Sequence, residues 1–257
     1  MLPRRPLALP KTVVTTFVMF ALVFALPLAD VACSSTEEGV EVTIVEGGPT
    51  NAGTANVIVN DLGFVVTLTK GWMATSSVEI TACAGAAASV TPSWFGAGGL
   101  GGLRLAWAHS SASPTKLGEP VVTSLTAPTS ESTELGDLLP PPGKYCKVKH
   151  SVGAADDDAK NLPADVAFVG KSLYVMGTSS KNGSAPVAFE SSSTFAFDVE
   201  HDVAFTLDAK ASPKATLTLG AAQDHWFDGI DFDKVAPDAV ADAVISNVKR
   251  SLTAKVP

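Results

Sequence analysis

Hydrophobic and polar positions alternate with a period of two along most of the chain. The alternation runs through VEVTIV (40–45), FVVTLT (64–69), VEITAC (78–83), LRLAWA (103–108) and VVTSL (121–125). It resumes in YCKVKHSV (145–152), SLYVMG (172–177), STFAFDV (193–199), VAFTLDA (203–209) and ATLTLG (215–220). Successive strand side chains point to opposite faces, so each segment reads as a strand with one face toward a core. Turn-forming clusters separate them: GAGGLGG, SSASPTKLGEP, LPPPG, SSKNGSAP and KASPK. Only APDAVADAVISNVKRSL (236–252) carries a helical period, with Val240, Val244, Ile245, Val248 and Leu252 as its apolar stripe. Pro237 and the aspartates Asp238 and Asp242 suit its first turns, and Lys249 and Arg250 suit its last. The pattern predicts an all-β fold, a two-sheet antiparallel β-sandwich with one C-terminal helix closing an end.

Two segments specify which side chains turn inward. In YCKVKHSV, Cys146, Val148, His150 and Val152 share a face opposite Tyr145, Lys147, Lys149 and Ser151, which aims Cys146 at the core. In STFAFDVEHDVAFTL, Phe195, Phe197 and Val199 face Val203, Phe205 and Leu207 across a tight turn at Glu200–Asp202.

The N-terminus breaks the strand pattern. Arg4, Arg5 and Lys11 precede an uncharged apolar run from about Val13 to Leu26, which has the charged and apolar regions of a secretory signal and is short for a membrane span. Ala32–Cys33–Ser34 follows it and resembles the bacterial lipobox, in which the cysteine becomes the acylated first residue of the mature chain; Asp30 stands where that motif prefers leucine. Cleavage after Ser34 without a lipid, or retention as an uncut anchor, are the alternatives. The reading divides the chain into a signal peptide (1–32), a lipidated cysteine with a polar tether (33–56) and a single β-sandwich domain (57–257). It expects a cell-envelope protein held to a membrane by its lipid, on the periplasmic or surface face of the outer membrane.

Charge and cysteine content narrow the partners. The whole chain has 18 basic and 26 acidic residues, a formal −8. Three of the bases and one of the acids precede Cys33, so the remainder carries 15 against 25, a formal −10. That balance excludes a nucleic-acid partner, whose phosphates need a basic face. An envelope protein partner is left open. With Cys33 acylated or removed, Cys83 and Cys146 remain as an even pair in an oxidising compartment, which reads as a disulfide. The alternatives are metal thiolates or a reactive thiol; no CxxC is present.

No catalytic constellation is visible: the chain lacks G-x-S-x-G, HExxH and a Walker loop, and it is not read as an enzyme. Its four histidines are His109, at a strand end, His150, on the inner face of its strand, His201, in the expected turn, and His225, in QDHWFDGIDFD. None is paired at metal-ligand spacing, so a copper or zinc site would have to be assembled by the fold. His109 and His225 are the candidate metal ligands. For Trp226 and Phe227 the reading is a buried structural corner with the neighbouring aspartates wet. For Asp156–Asp158 it is a solvated loop, with a calcium contact as the alternative.

The segments AHSSASPTKLGEP, LPPPGKYCKV, GAADDDAKNLP and HWFDGIDF resemble a group of Gram-negative envelope lipoproteins. More distantly, the order of segments is similar to the methanobactin-associated periplasmic copper-binding family, over about residues 60 to 250. That resemblance implies copper held by histidines with an oxidised tryptophan, and a di-haem partner that performs the oxidation. It places His109 at a ligand position; the second histidine it implies there is replaced by serine. The expected function is a non-enzymatic, lipid-anchored envelope protein binding a copper or zinc ion or a small ligand at strand-end loops. The rival is a structural or protein-interaction lipoprotein with no small ligand.

Overall fold

A computed structural model describes residues 39–48, 56–84, 113–128 and 130–257. The expected strand 103–108, the GAGGLGG loop, Cys33 and His109 lie outside them. Two sheets form the fold. The smaller has the order β12–β11–β1–β6, from β1 (Glu41–Gly47), β6 (Ser132–Leu138), β11 (Lys214–Ala221) and β12 (Leu252–Lys255). The larger runs β10–β7–β3–β8–β9, from β3 (Phe64–Ala82), β7 (Gly143–Val152), β8 (Leu173–Lys181), β9 (Val187–Ser193) and β10 (Phe197–Leu207). Short strands β2 (Val57–Val59), β4 (Lys116–Leu117) and β5 (Val121–Ser124) pair with β3. The all-β sandwich with one C-terminal helix is the observed architecture. Among the named strands the pairings are antiparallel except β1 with β11.

The inward positions of the two sheets make one contact layer. Val42 and Ile44 of β1, Leu135 and Leu138 of β6, and Leu217 and Leu219 of β11 meet Val78, Ile80, Tyr145, Val148, Phe205 and Leu207 of the larger sheet. β1 sits between β11 and β6, so the folded domain includes residues 41–47, which the tether reading places outside it.

The helix α1 (Val240–Ser251), entered through a 3₁₀ turn at Pro237–Ala239, buries Val240, Ala241, Val244 and Val248. These side chains join Val66, Leu68, Val175 and Phe189 of the larger sheet, with Ala221 of β11 and Leu252 of β12, in one cluster, so the helix packs on the larger sheet's inner face beside the ends of β11 and β12. The opposite face of that sheet carries a second apolar patch, where Trp72, Ala74, Val122 and Tyr174 meet Ala155, Ala159 and Phe168.

Three expectations about local geometry fail for identifiable reasons. FVVTLT and VEITAC are not separate strands: β3 runs through both as one 19-residue strand, bent by register shifts between Leu68 and Lys70 and between Thr75 and Ser77. No turn occurs at Glu200–Asp202. β10 continues through it, and the cross-strand contact of Lys147 with Glu200 and the Lys149–Asp198 ion pair at 2.9 Å line its wet face against β7. Phe195 consequently lies outside the strand and is exposed. Finally, Cys146 is the extra residue of a β-bulge: Thr81 pairs with Lys147 and Ala82 with Tyr145. A bulge reverses the alternation beyond it, so Tyr145 turns into the core and stacks on Phe205, while Cys146 is only half-buried. It still bonds Cys83, with a Cα–Cα distance of 4.9 Å.

Candidate functional site

The stretch 223–230 forms a rigid corner between β11 and α1. Trp226 and Phe227 are fully buried, and the Trp226 Nε1–H donates to Ser251 Oγ at 2.7 Å. Two amides clamp the backbone. Asn60 donates to the carbonyls of Phe227 and Ile230 (3.0 and 2.8 Å), and Asn247 donates to those of Trp226 and Asp228 (3.0 and 2.8 Å). Gly229 takes a left-handed φ of 76°, which a side chain would strain, and its N–H donates to Asp61 Oδ1 at 2.7 Å. The Asp61 N–H in turn donates to Asp228 Oδ1 at 3.1 Å.

This bracing holds Asp228 under His225. Asp228 Oδ2 lies 2.7 Å from His225 Nδ1, and the His225 side chain is 82 % exposed. A carboxylate on Nδ1 selects the tautomer with its proton there and leaves the Nε2 lone pair outward, the orientation that metal-ligating histidines use. The two residues line two open hollows. One, of about 470 Å³, also includes Asn247, Arg250 and Thr253; the other, of about 600 Å³, includes Asn60, Asp61 and Asp224. The residues fit an ion attached by one imidazole, not a closed site, for among the described residues no three His, Cys, Asp or Glu side chains are grouped to hold a metal.

A second polar cluster lies between the sheets, and the sequence reading missed it. Glu46 of β1 is buried, with Thr75 Oγ1 3.4 Å from its Oε2. The same Oγ1 is 2.8 Å from Nε2 of His150, which has no exposed surface. Burial pushes the Glu46 carboxyl up to about 7, against the opposing effect of the Thr123 and Thr75 hydroxyls. Burial, with the nearby His201 as a lesser cause, pushes His150 down to about 4. Thr75 has one hydroxyl proton. When it donates to an ionised Glu46, His150 Nε2–H must donate to Thr75, and Nδ1 is left as a buried acceptor. Nδ1 of His150 and Nε2 of His201 are both buried without a hydrogen-bond partner among the described residues. The signal was present in VEVTIVEG, where Glu46 occupies the same face as Val42 and Ile44.

Of the three histidines among the described residues, His150 is a core residue as expected, and His201 lies within β10 on the face it shares with His150. His225 stands at an exposed corner, with Trp226 and Phe227 buried beside it as expected. Comparison with protein-family models, curated proteins and solved structures finds no significant match.

Proposed function

We propose that the chain is a non-enzymatic, lipid-anchored protein of the cell envelope that binds a copper or zinc ion exchangeably at His225. The observation that carries this reading is the Asp228–His225 pair: a carboxylate 2.7 Å from Nδ1, itself fixed by Asp61, behind an exposed imidazole. Copper and zinc are the metals suited to an imidazole nitrogen. One protein ligand leaves the remaining positions to water or a small molecule, and His109 is the further ligand that the family resemblance implies. The anchor rests on the apolar run and lipobox-like Cys33. A disulfide between Cys83 and Cys146 agrees with an oxidising compartment.

The test is metal analysis of the purified protein beside a His109→Ala, His225→Ala double variant. With Cu²⁺ or Zn²⁺ added back in excess, the proposal expects one ion bound per chain in the first and its loss in the second; equal uptake by both proteins removes the site. Intact mass of the membrane-extracted protein tests the anchor. Acyl chains on an N-terminal Cys33 support it, and an unlipidated chain beginning at Ser35 refutes it.

A further inference from the structure

β10 ends the larger sheet with one edge open. It pairs with β7 from Phe197 to Leu207, and among the described residues no backbone hydrogen bond leaves its other side. Alternate residues of an antiparallel strand turn both N–H and C=O away from the neighbour, so this edge is a row of ready donors and acceptors. Proteins blunt such edges with proline, lysine, a bulge or a covering element. From Phe197 to Val203 there is no proline or lysine, and the register shift against β7 begins only after Asp202. The sheet's opposite edge is treated differently. There β9 is tied to the turn before α1, where Ser191 Oγ donates to the Asp238 carbonyl at 2.6 Å and accepts the Ala241 N–H at 2.8 Å.

The side chains define what fits this edge. On the outer face the charge alternates across the sheet, from Glu79 of β3 to Lys149 of β7 to Glu200 of β10, and Lys147 is likewise followed by Asp202. A base is the next member of that series. On the inner face Val199 and Val203 are only half-buried, with their open flank beside the free edge. We propose that this edge receives an extended segment of another protein, in which basic residues alternate with apolar ones, as an added antiparallel strand. Backbone bonds attach it, its bases meet Glu200 and Asp202, and its apolar residues cover Val199 and Val203. β7 is the template, presenting Lys147 and Lys149 on one face and Val148 on the other to the same strand. A second copy of the chain is the wrong occupant. Residues opposite each other share a face, so two β10 edges joined antiparallel would set the row of Asp198, Glu200 and Asp202 against its own copy in any register, like charge facing like.

The probe is a peptide of the β7 sequence, residues 144–152 with Cys146→Ser, added to the purified protein, and the readout is amide hydrogen exchange followed by NMR. Binding should saturate below about 1 mM. With the peptide at about ten times its Kd, exchange at alternate amides between Phe197 and Val203, rapid in the free protein, should slow about tenfold. The same peptide with Lys144→Glu, Lys147→Glu and Lys149→Glu should bind about fivefold more weakly or worse. His225→Ala should leave binding intact, which separates this edge from the metal reading. Absence of saturation up to about 1 mM overturns the proposal. Binding that leaves those amides unprotected overturns it, as does equal binding of the glutamate peptide. Protection of the same amides without peptide, whether by self-association or by the chain itself, overturns it too.

Discussion

Replacing Glu46 by glutamine should change the pH dependence of stability in a way that exposes its neighbour. A carboxyl raised from 4.5 to about 7 holds its proton about 3 kcal/mol more tightly folded than unfolded. That stabilisation is fully present below pH 4.5 and is lost as pH rises through 7. His150 acts in the opposite sense. Lowered from 6.5 to about 4, it contributes about 3 kcal/mol that is present above pH 6.5 and lost as pH falls through 4. Between pH 4.5 and 6.5 the two slopes oppose each other, so this pair leaves the unsubstituted protein nearly flat there. The glutamine amide keeps an acceptor for the Thr75 and Thr123 hydroxyls but cannot titrate. The variant should therefore gain stability with pH across 4 to 6.5, and its stability relative to the parent should rise by about 3 kcal/mol between pH 4.5 and 7. Urea denaturation followed by tryptophan fluorescence, in chelator at half-unit pH steps, measures this difference. Parallel profiles for the two proteins would mean instead that Glu46 titrates alike in the folded and unfolded chains.

Reduction of Cys83–Cys146, or Cys83→Ser with Cys146→Ser, should cost about 4 kcal/mol by the loop-closure relation for a separation of 63 residues; the shift of the urea midpoint under reducing and oxidising conditions measures it. Asn60→Ala removes two donors to Phe227 and Ile230 and the acceptor that serves the Leu62 and Phe64 N–H groups. A loss of about 3 kcal/mol is expected in urea denaturation, and Asn60→Asp should not rescue it, because a carboxylate oxygen would face the two carbonyls with no proton to donate.

The β-sandwich was legible because alternation is a local signal, and the expected strands within the described residues fall mostly on observed ones. VAFESSS of β9 and STELGDL of β6 escaped it. In β9 two of the three buried positions are serines, and in β6 a register shift against β1 sets the two buried leucines, Leu135 and Leu138, three residues apart and out of the period of two. The inward aim of Cys146 was misjudged because a bulge depends on register with β3 and β10, which no single strand encodes. Continuity at Glu200–Asp202 was misread for a related reason: EHD resembles a turn, yet Glu200 and the preceding Asp198 meet Lys147 and Lys149 of β7 across one wet face. His225 stood out by composition, but Asp61, 167 residues from Asp228, supplies the bracing that orients it. Thr75 and His150 similarly come to Glu46 only through tertiary pairing.

In the proposed function Asp228 orients His225 as a metal ligand, and the Zn²⁺ affinity of the purified protein against Asp228→Asn, with His225→Ala as the baseline, tests it. Loss of a carboxylate behind a ligating imidazole should weaken binding about 10- to 100-fold, and His225→Ala should abolish it. Equal affinity in all three proteins would mean that His225 holds no metal.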